Sequence, residues 1–343
     1  MLTPTPPPPT ESTGPGRAST PPPQSTDFPS PFSVPYNHTG SRPPPSPPIF
    51  PPRPPSPPLL SATLRPPSPK PDPPEVALLE SATVAGCLQD VHQILSQYLV
   101  TQNPDPATGR LKLNLFHRSI EAAIANDSKI ILAYLFFMRI GEPSLYTGSA
   151  LRARSASVFQ VFLNYKWNIN QPLSRTEAPP LGYICDDQQL TRWFLDHGAD
   201  PNAMCDWDLT PMSVAMRLAP LYTIKILFAH GGNIKRGQLL HHALLRDNPN
   251  VIELVDLLLD IGAPINAIQY KDHSASFNEL CPFALGTPLH YAAEVGRTEI
   301  VAHLLRRGAD PSIKNTKGRT VLQTAKFLHQ SKVEQILQDS ITE

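Results

Sequence analysis

The 343-residue chain carries no formal net charge, is 17% charged and 40% hydrophobic, and contains 43 prolines. Zero net charge with no basic stripe excludes a general polyanion binder, which needs clustered Lys and Arg. Four scattered cysteines (Cys87, Cys185, Cys205, Cys281) exclude a disulfide-dense scaffold and a Cys-x-x-Cys pair, and each reads as a small core residue.

Residues 1–74 come first, and 29 of the 43 prolines lie there. The segment is poor in large apolar residues and cannot bury enough surface to offset its ordering entropy. It is predicted to be a disordered, polyproline-like arm. Arg42-Pro43-Pro44-Pro45-Ser46-Pro47-Pro48 fits the basic-x-x-Pro-x-x-Pro pattern of an SH3 ligand, and Pro48-Ile49-Phe50-Pro51-Pro52-Arg53 fits the reverse orientation. Ser30, Ser46, Ser56 and Ser68 each precede proline, as proline-directed kinases require, and three arginines lie nearby to receive added phosphate. The opening Met-Leu-Thr-Pro shows no secretory signal, so the expected address is intracellular, cytoplasmic and/or nuclear.

From Val76 the patterning turns helical. Val76 to Ala82 followed by Val91-x-x-Ile94-Leu95 predicts a short helix pair with a long exit over Asn103 to Arg110. The longest apolar run, Ile130 to Met138, is closed by Arg139 and is too short to span a bilayer. Residues 198–215 read GADPNAMCDWDLTPMSVA; Ile261-Gly262-Ala263-Pro264-Ile265-Asn266 repeats that ending, and Tyr165-Lys166-Trp167-Asn168-Ile169-Asn170 is a degenerate version of it. An insertion, Ile268 to Leu285, follows. Thr287 opens TPLHYAAEVGRTEIVAHLLRRGADPSIKNTKGR, and 33 residues later Thr320 opens TVLQTAKFLHQSKVEQIL. Thr287-Pro288 starts a helix, since the hydroxyl caps it and the proline's missing N–H costs nothing there. Ala292 and Ala293 allow two helices to pack closely, and Val301, Leu304 and Leu305 form the apolar stripe of the second. Gly308 ends that helix in a left-handed turn.

Thr-Pro-Leu-His, Ala-Ala and Val-x-x-Leu-Leu-x-x-Gly-Ala-Asp together resemble the ankyrin repeat. The resemblance implies an all-α repeat solenoid, with the chain divided into a proline-rich arm (1–74) and an ankyrin-repeat domain (75–343, best defined over 179–343). About eight units come into register, beginning near Pro74, Leu113, Ser149, Ala178, Asp208, Gly237, Gly286 and Arg319. No unit buries its own face alone, so the units must stack.

Members of the family bind proteins with their turn tips and the inner side of their first helices, which implies where recognition occurs here. Asp206-Trp207-Asp208 forms one tip, with Asp208 standing where the family usually has glycine; Trp207 is either an interface anchor or a side chain folded onto a neighbouring turn. The insertion carries Tyr270, Lys271, His273, Phe277 and Phe283, either as a contact-making finger or packed over the adjacent repeat. Inner-face positions are Val214 and Arg217, His242 and Leu245, and Tyr291 and Glu294. Trp167, in place of the small Ala, reads as core repair. His241 aligns with His290, a position whose imidazole bonds to the turns within the family.

No phosphate-cradling Gly-rich loop, His-Glu-x-x-His or Gly-x-Ser-x-Gly occurs, so no enzyme activity, metal or cofactor is expected. The expected function is a non-catalytic adaptor or scaffold that binds other proteins through the ankyrin surface, without direct nucleic-acid or membrane contact. The alternative is a nuclear transcription co-regulator acting through protein contacts, because the loose, Pro-tailed array resembles fungal ankyrin proteins assigned such roles beside metabolic gene clusters.

Overall fold

The computed structural model describes residues 72–101, 113–247 and 250–342. The SH3-type motifs, the four Ser-Pro sites, almost all of the arm to Pro74 and the exit over Asn103 to Arg110 lie outside the described residues. Among the described residues the only β pairing is an isolated bridge between Ser174 and Glu177, and no helix is long and apolar enough to cross a membrane.

Everything else is a succession of helix pairs. They are α1 (Pro74–Val84) with α2 (Leu88–Thr101), α3 (His117–Ala125) with α4 (Lys129–Phe137), and α5 (Thr147–Ala153) with α6 (Ala156–Asn164). In the fourth pair the first member shrinks to a 3-10 turn over Pro180–Tyr183, followed by α7 (Gln188–Asp196). Next come α8 (Pro211–Leu218) with α9 (Leu221–Ala229), and α10 (Leu239–Ala243) with α11 (Val251–Asp260). α12 (Ser274–Leu280) lies in the insertion, and α13 (Pro288–Glu294) with α14 (Thr298–Arg306) and α15 (Val321–Phe327) with α16 (Ser331–Thr342) close the array. The third pair is entered at Pro143, through a 3-10 turn to Tyr146, so its start lies several residues before the expected Ser149.

First helices begin where the sequence provides caps. Thr210, Thr287 and Thr320 each accept an N–H from the third helical residue, and Ser213, His290 and Gln323 return a bond to the cap's own N–H. The second helices α4, α6, α7, α9, α11 and α14 each end on a left-handed residue, with glycine at Gly198, Gly231, Gly262 and Gly308. The degenerate repeats use Arg139 and Lys166 there instead, at roughly 1 kcal/mol each.

One apolar core runs the length of the array, from Val76 to Leu337. Its heaviest section is aromatic. Phe159 meets Phe194 edge-on at 4.7 Å and stacks with Trp167 at 5.6 Å. Trp167 is buried, and its indole N–H donates to the Thr147 hydroxyl at 3.1 Å, so it fills the volume that Ala199 and Ala309 leave to their neighbours. Core repair is its role.

A second device joins consecutive units from the side. Buried Arg246 donates to the carbonyls of Ala215, Met216 and Ala219 at the end of α8. Arg297 does the same for Leu244 and Arg246 after α10, and Gln330 for Glu294 at the end of α13. Each supplies donors to carbonyls at or just past a helix end; of these, Ala215 also accepts the Ala219 N–H.

Candidate protein-binding surface

The turns leaving each second helix are tied together by asparagines. The Asn170 amide donates to the Gly198 carbonyl at 2.9 Å and accepts the Asp200 N–H at 2.7 Å. Asn202 repeats this with Gly231 and Asn233, and Asn266 with Gly308 and Asp310. The ladder skips one rung. Lys235 occupies the asparagine's place after the fifth pair, and Pro264, which has no N–H, occupies the acceptor's target after the sixth.

At the tip 206–208, Asp208 departs from the sequence-based expectation and Trp207 takes the second of its two readings. Asp206 is exposed and pairs with Arg175 at 3.0 Å. Asp208 is buried, not presented to a partner: it adopts the glycine-like φ of 56° and its carboxylate accepts the Gly237 N–H at 3.3 Å and the Gln238 amide at 2.8 Å. Trp207 folds inward, half-buried against two small clusters: Ala178, Cys205, Leu209 and Val214 on one side, Tyr270, Leu280 and Leu285 on the other. Among the four cysteines, Cys185 and Cys205 are buried while Cys87 and Cys281 are only partly covered.

The insertion is ordered and helical. Tyr270, expected at the surface, is buried, and its N–H donates to the Gln238 side chain at 3.1 Å. Burial pushes its phenol up to about 12. His273 caps α12, Phe277 is half-buried beside Trp207, and only Phe283 and Lys271 among the five singled-out side chains stand well exposed. Packing over the preceding turn is therefore what most of these aromatics do.

The inner face holds what the tips do not. Val214 and His242, expected to line it, are buried beneath it. Arg217, Tyr291 and Glu294 are partly buried, and among the described residues none of their side chains is recorded in a hydrogen bond or ion pair. They form one neighbourhood, since the charges of Arg297, Asp247, Glu294 and Arg217 all act on the Tyr291 hydroxyl. Burial holds the Glu294 carboxyl up to about 7 and raises the Tyr291 phenol. Leu218 and Val295, at the ends of the same inner segments, are exposed at 61% and 40%.

Four histidines are held by structural hydrogen bonds. His290 accepts the Thr287 N–H at Nδ1 and donates from Nε2 to the Arg319 carbonyl, and His241 donates to the Gly286 carbonyl at 3.2 Å. Burial lowers His241 to about 4 and His242 to about 3. His197 and His230 donate to the carbonyls of Trp193 and Ile226, closing their helices. Asp187 caps α7, and Asp186 pairs with Arg154 at 2.8 Å. Among the described residues, no group of His, Cys, Asp and Glu is arranged to hold a metal ion.

A family model for the ankyrin repeat matches residues 286–316, the unit whose cap, helix pair and Gly-Ala-Asp ending are the most regular. The chain is an ankyrin-repeat protein. Ankyrin repeats are protein-interaction modules, and stacked repeats present extended concave surfaces. A stretch of 75 residues is 37% identical to E3 ubiquitin-protein ligase hecd-1 of Caenorhabditis elegans, covering 22% of this chain and 2% of that protein. A stretch of 217 residues is 26% identical to E3 ubiquitin-protein ligase KEG of Arabidopsis thaliana, covering 58% of this chain and 13% of that protein. The chain thus matches only a small part of either relative's length.

Proposed function

We propose that this ankyrin array is a non-catalytic adaptor that binds a protein partner on its inner face, around Arg217, Tyr291 and Glu294. The observation that carries this reading is the state of those three side chains: half removed from water, with no recorded bond to the described part of the chain, and flanked by exposed Leu218 and Val295. Polar groups that have already lost part of their hydration gain most from a partner that completes their bonds. The arm, with its SH3-type motifs, is a second ligand or a tether in this scheme.

The test is affinity purification from native lysate with the full chain, residues 75–343, and the full-chain Arg217→Ala/Tyr291→Ala variant, read by mass spectrometry. Partners held by the inner face bind the first two baits and are lost from the third. Partners that ignore the third bait's substitutions and vanish with the arm would overturn the reading.

The co-regulator alternative uses the same surface at a different address, so nuclear accumulation of the tagged protein selects it over a cytosolic adaptor. A second reading draws on the two relatives, both named as E3 ubiquitin-protein ligases. In that reading the array holds a protein for such a ligase, and the captured partner is ubiquitinated only in lysate that contains the array.

A further inference from the structure

The missing rung of the asparagine ladder opens a cleft. Where other turns are tied at this level, Lys235 and Pro264 face a space of about 210 Å³ between the turn entering α10 and the start of the insertion. Its apolar walls include Ile234, Pro264 and Ile268. The rim carries Lys235, Arg236 and Lys271, all exposed, and among the described residues none of the three takes part in an ion pair.

The acidic groups do not neutralise this rim. Asp208 reaches the cleft, but its carboxylate is engaged by Gly237 and Gln238; Asp206 is held by Arg175. Asp272 is the one exposed carboxylate on the lining, set against three cations. His241 lines the wall with its Nε2 committed to the Gly286 carbonyl, and His273 spends Nδ1 on capping α12.

Volume narrows the occupant. The space is smaller than the roughly 300–1,000 Å³ typical of small-molecule sites, and it has walls for an apolar side chain and cations for carboxylates beside it. A nucleic acid needs a longer basic track than three residues at one turn. We infer that this cleft binds an extended acidic peptide segment of a partner protein, seating an apolar side chain against Ile234 and Ile268 while its carboxylates meet Lys235, Arg236 and Lys271. The inference rests on the interaction-module reading but not on the inner face, because the cleft lies at the turn tips.

The experiment selects random linear peptides displayed on phage against the full-length protein, then measures the enriched sequence as a labelled synthetic peptide. The expected winners carry several acidic residues around a large apolar one. Lys235→Gln/Lys271→Gln weakens their binding about tenfold, added salt weakens it further, and Arg217→Ala leaves it unchanged. Lys235→Asn/Pro264→Asp restores the missing rung, raises the thermal midpoint and weakens the same peptide. Failure to enrich any peptide, enrichment without acidic residues, acidic peptides indifferent to Lys235→Gln/Lys271→Gln, or tighter binding of a single-stranded DNA oligonucleotide would each overturn the proposal. Peptides that instead lose binding with Arg217→Ala sink the cleft and leave the inner-face reading standing.

Discussion

Arg246 reaches back one unit and donates to the carbonyl oxygen of Ala219 at 2.5 Å, with further bonds to Ala215 and Met216. Arg246 is 3% exposed and among the described residues no carboxylate is bonded to it, so the end of α8 itself stabilises the buried charge. Hydrogen bonds to a charged group contribute about 1.5–3 kcal/mol each in favourable cases, offset by desolvation of the guanidinium. Arg246→Met, which keeps most of the volume, is expected to cost about 2–4 kcal/mol, because the Met216 and Ala219 carbonyls lose their donor while Ala215 keeps the Ala219 N–H. Urea unfolding of the full chain measures this; a loss below about 0.5 kcal/mol would show that water replaces the arginine without penalty.

Asn202 does two jobs with one amide, accepting the Asn233 N–H at 2.7 Å and donating to the Gly231 carbonyl at 2.9 Å. Asn202→Ala removes both and is expected to cost about 1–2 kcal/mol. Asn202→Asp keeps the acceptor, loses the donor and sets a carboxylate against the carbonyl. It should therefore lie no higher in stability than the alanine variant despite its better shape match. Thermal melts of the pair decide this, and an aspartate variant as stable as the parent would mean that only the accepted bond matters.

Asp208 separates backbone strain from bonding. Glycine at this left-handed position relieves strain of about 1 kcal/mol but removes the carboxylate that holds Gly237 and Gln238; alanine removes the carboxylate and keeps the strain. The expected order of stability is parent, then Asp208→Gly, then Asp208→Ala, with the last about 2–3 kcal/mol below the parent. If glycine proves more stable than aspartate, the two hydrogen bonds contribute less than the strain.

These residues also show where sequence reading stops. Capped starts at Thr210 and Thr287, glycine ends and the apolar stripes are local signals, so the helix pairs were legible. The Asn ladder has a sequence signal too, in the recurrence of Asn170, Asn202 and Asn266 at one position of each ending. The burial of Asp208, Trp207 and Tyr270 was not, because each is settled by groups roughly 30 residues or more away: Gln238 for both Asp208 and Tyr270, and the insertion for Trp207. Arg246 gives no sign at all in sequence. It stands where Val295 stands in the regular unit, and only the stacked array brings it to the end of α8.

Acidity should act on stability through four buried or partly buried groups, three histidines and a glutamate of opposite sign. His241 and His242 have native values near 4 and 3 against an ordinary 6.5, so the unfolded chain takes up their protons first. Their contribution is complete above pH 6.5 and is lost as pH falls toward 4 and then 3, by up to about 2.7 kcal/mol per unit for the pair. His290, lowered by burial as well, adds in the same direction. Glu294 runs the other way. Its native value near 7 against an ordinary 4.5 favours the fold at low pH, and that advantage disappears as pH rises from 4.5 to 7, by at most about 1.4 kcal/mol per unit. The sum predicts a thermal midpoint that climbs from pH 4.5 to about 6.5, dips slightly to pH 7 and then levels. Glu294→Gln removes the dip and steepens the acid limb. His242→Leu flattens the acid limb and raises the midpoint at pH 7, because both ring nitrogens of His242 are buried with no hydrogen-bond partner among the described residues and leucine needs none. A midpoint flat between pH 4.5 and 6.5 in the parent, or an acid limb unchanged by His242→Leu, would mean that these histidines reach water before the array unfolds.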